Sequence, residues 1–244
     1  MKKIVLITGA AKGIGAACCK VFSKDSYFVL MHYFKSEEKA IKLCSEIKNF
    51  GGECEILKAD LSKEEEVEKM FFKIEKNYGF VDVLINNAAV AQQKLFLDTS
   101  LKDWSEIFSV NLFSMFFCCK KILPNMIKYK KGKIINISSV WGEVGASMET
   151  IYSSSKAAVI GFTKALAKEV ALSGVNVNAI APGVVKTDML NGLNEEEITL
   201  LKEQIPSGII GDPLDVANVA LFLADEKSSY INGEIIDVGS GFCR

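Results

Sequence analysis

The sequence predicts an α/β fold: one domain built on a doubly wound, seven-stranded parallel sheet flanked by helices. Two observations predict it. Short apolar, β-branched runs recur along the chain in the manner of strands buried on both faces, and segments of helical period fall between them. In order, strands are expected at 4–7, 27–31, 54–57, 81–85, 133–137, 175–180 and 234–238, with helices at 13–24, 37–50, 63–78, 101–129, 152–173 and 213–224. Ser36 and Ser62 stand where N-caps belong, each followed by acidic residues suited to a helix first turn. Crossovers between such strands should be right-handed. No linker divides residues 1–244, so they read as a single domain. The longest irregular stretch, about 183–212, contains a helical patch near 195–204 and is a candidate lid over a substrate pocket.

Composition narrows the function classes. At 244 residues and 49% hydrophobic, the chain can bury a substantial core, and a formal net charge of −1 gives no electrostatic footprint for nucleic acid. Met1, Lys2 and Lys3 precede an apolar run as in a signal peptide, but Thr8 and Gly9 end that run too early for an h-region. No stretch approaches the roughly 18 apolar residues of a membrane span, so a soluble protein with no membrane partner is expected. Cys18, Cys19, Cys44, Cys54, Cys118, Cys119 and Cys243 show no Cys-x-x-Cys spacing, and their odd number argues against zinc and against a disulfide framework. With His32 the only histidine, no metal site is expected, and a reduced cytoplasmic setting fits best. Arg244 is the only arginine, so anion recognition must use lysine, hydroxyls or backbone amides. The cluster Lys128, Lys130, Lys131 and Lys133 most simply ends a helix favourably for its dipole.

A glycine-rich turn carrying Gly9, Ala11, Lys12, Gly13, Ile14 and Gly15 falls between the first strand and first helix, where backbone amides and a helix N-terminus can meet a pyrophosphate. Its spacing is Gly-x-x-x-Gly-x-Gly; by itself such a cluster can be only a tight turn. An acid at the end of the second strand would hold the ribose hydroxyls of NAD and repel a 2′-phosphate. Here that end reads His32, Tyr33, Phe34, Lys35, Ser36, without an acid. Lys35 and Lys12 can approach a 2′-phosphate, which favours NADP(H); the alternative is that both are merely solvated. A lone histidine at a strand end, such as His32, is more often structural or exposed than catalytic.

Tyr152 and Lys156 open a helical pattern 13 residues after Ser139 and, four apart, share one helix face. Six tyrosines in so lysine-rich a chain give about 0.7 such pairs by chance. The other pair, Tyr129 and Lys133, straddles Gly132 at a helix end and should not share a face. Bringing a tyrosine from its ordinary pKa of about 10 to near 7 asks for about 4 kcal/mol, much of which a nearby ammonium can contribute. Ser139 could position a substrate carbonyl.

Taken together, these motifs resemble the short-chain dehydrogenase/reductase family over essentially the whole chain. Asp60, Asn86, Asn87, Ala88, Asn111, Pro182 and Gly183 extend the likeness. The resemblance implies a Rossmann-type domain in which Tyr152 is the proton donor, Ser139 orients the carbonyl, Lys156 lowers the tyrosine pKa and holds the nicotinamide ribose, and Asn111 supports a water linked to Lys156. It also implies cofactor contacts from the glycine turn, from Tyr33, Lys35 and Ser36, from Asp60 and Leu61, from Asn87 and Ala88, and from Pro182, Gly183, Val185 and Thr187. Within the family, the segments 136–140, 152–163, 178–187 and 230–238 are most similar to bacterial 3-oxoacyl-[acyl carrier protein] reductases, which implies a small carbonyl substrate borne by an acidic carrier protein. Lys128, Lys130, Lys131 and Lys133 could dock it, although a second basic position used by some of these reductases is Ser173 here. Acyl-CoA, sugar or small-ketone substrates are the alternatives, and a non-catalytic NADP-binding sensor is a remote one. Relatives are usually homotetramers; Phe113, Phe116 and Phe117 would suit the shared helical interface, or could face the sheet.

Overall fold

In the computed structural model, residues 2–190, 192 and 194–242 are described; Met1, Asn191, Leu193, Cys243 and Arg244 lie outside the described residues. Seven strands, β1 (Ile4–Ile7), β2 (Phe28–Tyr33), β3 (Glu53–Lys58), β4 (Val83–Asn86), β5 (Gly132–Ile137), β6 (Val175–Pro182) and β7 (Ile235–Val238), form one sheet in the order β3-β2-β1-β4-β5-β6-β7, and every pairing is parallel. The helices are α1 (Gly13–Lys24), α2 (Glu37–Asn49), α3 (Glu64–Tyr78), α4 (Leu101–Phe108), α5 (Ser114–Tyr129), α6 (Trp141–Val144), α7 (Thr150–Val170), α8 (Glu195–Glu203) and α9 (Pro213–Ala224).

Strand side chains alternate between two cores, as a period of two demands. Val5, Ile7, Val29, Met31, Ile85 and Ile135 pack with Phe22 of α1, Leu43 and Ile47 of α2 and Val216 of α9. Leu6, Leu30, Leu84, Ile134 and Val177 point the other way, against Phe71 and Ile74 of α3, Ile122 and Met126 of α5 and Val159 of α7. Truncating a wholly buried side chain such as Leu6 to alanine should cost about 2–5 kcal/mol.

The predicted order of elements holds, with local differences. β2 runs two residues beyond its expected end, through His32 and Tyr33, because both stay paired with β3. The expected helix at 101–129 is interrupted by a π-helical turn, Ser109–Phe113, which admits one extra residue per turn. Ser36 occupies the N-cap position of α2 but makes no capping bond, and Ser62 is not a cap at all: Lys63 holds that position in α3, and the Ser62 hydroxyl turns back to Asp60. The short α6 and the 3-10 turn Phe96–Asp98 were not expected.

Against the expectation of no membrane-length segment, Leu101–Tyr129 is by length and composition apolar enough to cross a bilayer. Its apolar seam, including Met115, Cys118, Cys119, Ile122 and Met126, is buried on the sheet, and that packing accounts for its hydropathy.

Candidate active site

Thr8 and Gly9 follow β1, Asp60 follows β3, Asn87 follows β4, Ser139 follows β5 and Gly183 follows β6, while Tyr33 ends β2. The expected site residues thus gather at the carboxyl edge of the sheet. Strand order reverses between β1 and β4, the point at which open parallel sheets leave a crevice for ligands.

The glycine turn is held by contacts that leave no room for side chains. Gly9 has φ +62°, and a Cβ there would lie 2.9 Å from the Ala88 Cα; a Cβ on Gly15 would collide with the Gly9 carbonyl oxygen. Asn87 Nδ2 donates to the Thr8 and Gly9 carbonyls at 2.9 and 3.1 Å, and the amides of Asn87 and Ala88 donate to Thr8 Oγ1. Ala11 packs on Tyr33 and Ala40, Ile14 packs on the core, and Gly13 faces Thr187. Among the described residues no side chain caps the first turn of α1 and no acid lies in it, so its amides suit a bound anion.

His32 fastens this turn from below. The Gly9 amide donates to Nδ1 at 3.2 Å, so Nε2 carries the proton and donates to the Ala59 carbonyl at 3.0 Å. Burial pushes its pKa down to about 4, leaving it neutral and structural.

Cation placement differs from the expectation at the β2 end. Lys35 Nζ lies 5.6 Å over the Phe34 ring, while Lys12 and Lys39 converge on Asp188 at 3.5 and 3.0 Å. Lys39 escaped the sequence reading; its signal is its place in the first turn of α2, four residues after Lys35. Tyr33 is buried and donates to Glu37, whose carboxylate Lys58 meets at 3.0 Å and holds below the usual range. Burial raises the Asp60 carboxyl, but bonds from the Ser62 hydroxyl and amide, with Lys63, more than offset it and leave it below its ordinary value; Leu61 beside it is buried. A cavity of about 400 Å³ is lined by Gly13, Ala17, Lys20, Lys186, Thr187 and Asp188. Pro182, at the end of β6, accepts the Val140 amide, and Val185 bridges to Gly211.

Tyr152, Ser139 and Lys156 are all buried and adjacent. Burial pushes the Tyr152 phenol up to about 12, while its bond with the Ser139 hydroxyl lowers it and nearby Glu149 raises it. Lys156 Nζ donates to the Ile137 carbonyl at 2.8 Å and stands 5.7 Å from the centroid of the Tyr152 ring. Burial lowers its own pKa to about 8. Lys156 thus stands against the ring of the phenol on which its charge is expected to act, its ammonium anchored on the Ile137 carbonyl. Ser138 donates to the Lys156 carbonyl, and the Ser139 hydroxyl accepts the Trp141 amide. Asn111 lies in the π-helical turn, where its Oδ1 accepts the Val90 amide at 2.8 Å and its Nδ2 donates to the Val90 carbonyl and to Ser155 Oγ. Ser155 donates in turn to the Tyr152 carbonyl, so Asn111 ties the loop after β4 to the catalytic helix.

That loop also supplies a roof that the sequence reading missed. The Lys94 amide donates to the Met148 carbonyl at 2.8 Å, and Gln93 donates to Glu149 at 3.3 Å. The run of polar residues Gln92, Gln93 and Lys94 was its only signal.

The lysine cluster falls elsewhere. Lys133 is buried at the start of β5, Lys131 pairs with Asp82 at 2.6 Å, and only Lys128, Lys130 and Lys131 are exposed. Six strand residues at about 3.3 Å each separate this amino edge from Ser139, so the cluster does not border this chain's own Tyr152.

The sequence matches the short chain dehydrogenase family over residues 3–198. The chain belongs to the short-chain dehydrogenase family. It is 43% identical over 240 residues to the 3-oxoacyl-[acyl-carrier-protein] reductase FabG of Aquifex aeolicus, covering 98% of this chain and 96% of that relative. It is 37% identical over 241 residues to FabG of Staphylococcus epidermidis, covering 99% of each. A crystal structure described as a candidate gluconate dehydrogenase from Agrobacterium tumefaciens superposes with a TM-score of 0.95 at 29% identity, covering 99% of this chain and 96% of that one. This short-chain dehydrogenase is an oxidoreductase of CH–OH and C=O groups, built on a Rossmann-type domain.

Proposed function

We propose that this short-chain dehydrogenase reduces the 3-oxo group of a 3-oxoacyl thioester, carried on acyl carrier protein, to the 3-hydroxyl at the expense of NADPH. The observation that carries the reading is a buried Tyr152 bonded to Ser139, with the Lys156 ammonium against its ring, at the carboxyl edge. Likeness over nearly the full chain to proteins named for that reaction supports the substrate.

The residues fit a phosphorylated dinucleotide. The Cβ-free turn at Gly9, Gly13 and Gly15 and the uncapped start of α1 would receive a pyrophosphate, with Ala11, Lys12 and Ile14 completing the turn. Lys12 and Lys39 are the cations available to a 2′-phosphate beside Tyr33, Lys35 and Ser36. Asp60, Leu61, Asn87 and Ala88 would border the adenosine half, and Pro182, Gly183, Val185 and Thr187 the nicotinamide half. A nicotinamide held there would supply the hydride.

The chain's own residues handle the proton. Ser139 donates a hydrogen bond to the substrate carbonyl, and Tyr152, protonated at neutral pH, delivers its proton to that oxygen. The transfer runs downhill, since a forming alkoxide is a stronger base than a tyrosinate even with the phenol at about 12. Lys156, still charged below about pH 8, stabilises the tyrosinate left behind in a dry site where charges act strongly. Asn111 positions the helix through Val90 and Ser155. The domain would act as one unit, with helix α8 and the segment that leads from it to α9 over the substrate. Phe113 and Phe116 stay exposed and suit a homotetramer, whereas Phe117 packs on the core. The protein works as a soluble cytoplasmic enzyme, and light scattering that returned a monomeric mass would reject the tetramer.

NADPH-dependent reduction of acetoacetyl-acyl carrier protein is the test, with Tyr152→Phe as control. Turnover lost in the variant supports the reading. A wild type that bound NADPH but turned over only acetoacetyl-CoA or a sugar acid would favour the second reading, for which the likeness to the Agrobacterium protein speaks. Binding without turnover on any carbonyl would leave a non-catalytic sensor.

A further inference from the structure

We propose that Cys44 and Cys54 are an oxidisable pair, which a hydroperoxide converts into an intrachain disulfide joining α2 to β3. Cys44 lies two turns into α2 and Cys54 is the second residue of the edge strand β3. Their sulfurs are 2.9 Å apart, inside the roughly 3.5–4.0 Å at which unbonded heavy atoms rest and about 1 Å beyond the roughly 2.05 Å of an S–S bond. Each thiol also faces the other's backbone: Cys54 Sγ lies 3.4 Å from the Cys44 carbonyl and Cys44 Sγ 3.8 Å from that of Cys54. The two chain segments have therefore already made the approach that a disulfide needs. The other four cysteines among the described residues are sequence neighbours within helices, Cys18 with Cys19 and Cys118 with Cys119, and neighbours on a helix point away from one another.

The surroundings assign an order to the chemistry. Lys48 follows Cys44 by one helical turn on the same face of α2 and is exposed. Cys54 is more deeply held, and burial followed by its bond with Cys44 pushes its thiol up to about 12. Cys44, the less deeply buried of the two, therefore attacks and Cys54 resolves. The Cys44 thiolate takes one peroxide oxygen, the O–O bond breaks, and the departing oxygen leaves as water or alcohol after protonation. The resulting S–OH is attacked by the Cys54 sulfur; the S–O bond breaks, the S–S bond forms, and water carries off the Cys54 proton. Two thiols lose two electrons and the hydroperoxide gains them.

The bond would close the short loop that turns through Gly51 and Gly52, and pin an edge strand that is hydrogen-bonded on one side only. The same helix carries Glu37 and Lys39 at its start, so its footing bears on the β2 end of the site. None of this chemistry depends on the identity of the carbonyl substrate.

Peptide mapping of hydrogen-peroxide-treated protein, alkylated before digestion, tests the proposal. The expected product is a linked Cys44–Cys54 peptide that dithiothreitol reverses, accompanied by a rise in Tm of about 5 °C. Cys44→Ser and Cys54→Ala should each abolish the link and the rise. Cys44 linked instead to Cys19 or another cysteine, or halted at a sulfinic acid with Cys54 still alkylatable, would overturn it. The wild-type map decides the question even if a variant folds poorly.

Discussion

Lys133 and Lys156 are buried at opposite ends of the same strand. Lys133, near the start of β5, donates from Nζ to Asn176 Oδ1 at 2.9 Å; Lys156, reaching across from α7, donates to the carbonyl of Ile137, the last residue of β5. They are 7% and 2% exposed, neither forms an ion pair among the described residues, and burial lowers the pKa of both. An ammonium taken from water without a counter-ion is costly wherever it lies. The difference is in what else each one touches. Asn176 uses its amide nitrogen to hold the carbonyls of Ser229 and Ile231, so Lys133 serves the loop leading to β7. Lys156 has an aromatic phenol beside it and a neighbouring serine on its backbone. Burial alone does not mark a working lysine; the group that its charge can act upon does.

The largest effect that would break this comparison is on turnover. Lys156→Met should lower kcat by about 10²-fold or more, within the usual contribution of positioned proton transfer, while Lys133→Met should leave kcat within about twofold. The second change instead strands Asn176 Oδ1 and should cost about 1–3 kcal/mol of stability. Equal losses of kcat in the two variants would remove the distinction. The pH dependence has a definite sign. Lys156 titrates at about 8 in the folded protein, so kcat/KM for reduction should fall above pH 8. Unfolded lysine holds its proton to about 10.5, so between those values the unfolded chain binds more protons. Stability relative to Lys156→Met should then rise by roughly 3 kcal/mol across that window.

How much of this was legible in the sequence divides along similar lines. Continuous apolar runs such as Val5, Leu6 and Ile7 announce strands buried on both faces, because the backbone sends successive side chains to opposite sides of the sheet. The spacing of Ser139, Tyr152 and Lys156 was legible because a helix face and a strand end fix it. A mid-helix asparagine at 111 can mark a distorted turn, but the π-helical form was not legible, since the side chain there is bonded to a distant partner, Val90. Ser62 looked like a cap, yet Asp60 competes for its hydroxyl. The cluster around Lys130 looked like one surface, but only the fold shows that Lys133 turns inward and that the whole group sits at the amino edge.

His32 extends the comparison to a base kept neutral. Its two nitrogens join the glycine turn to the loop after β3, and protonation would oblige Nδ1 to abandon the Gly9 amide. Its folded pKa of about 4 lies below the ordinary 6.5. The stabilisation is therefore complete above about pH 6.5 and is lost as pH falls toward 4, amounting to roughly 3 kcal/mol. Urea midpoints at pH 7, 5.5 and 4 should show this decline in the wild type and a flatter one in His32→Gln. Parallel declines would assign the acid sensitivity to other groups.

The smallest effect belongs to lysines left in water. Asp188 stands between Lys39 and Lys12 with side chains 39%, 58% and 54% exposed, and pairs so exposed are worth only about 0.2–1 kcal/mol. If those two cations receive the 2′-phosphate, the Asp188 carboxylate competes with it for both. Asp188→Asn should then lower KM for NADPH by about 1.5- to 5-fold with kcat unchanged, and leave KM for NADH where it was. Added salt should shrink the gain, because all three groups lie in solvent. A variant whose NADPH and NADH constants moved together would place the 2′-phosphate away from Lys12 and Lys39, and a rise in KM for NADPH would make Asp188 a strap that closes over the cofactor instead of a rival for its charge.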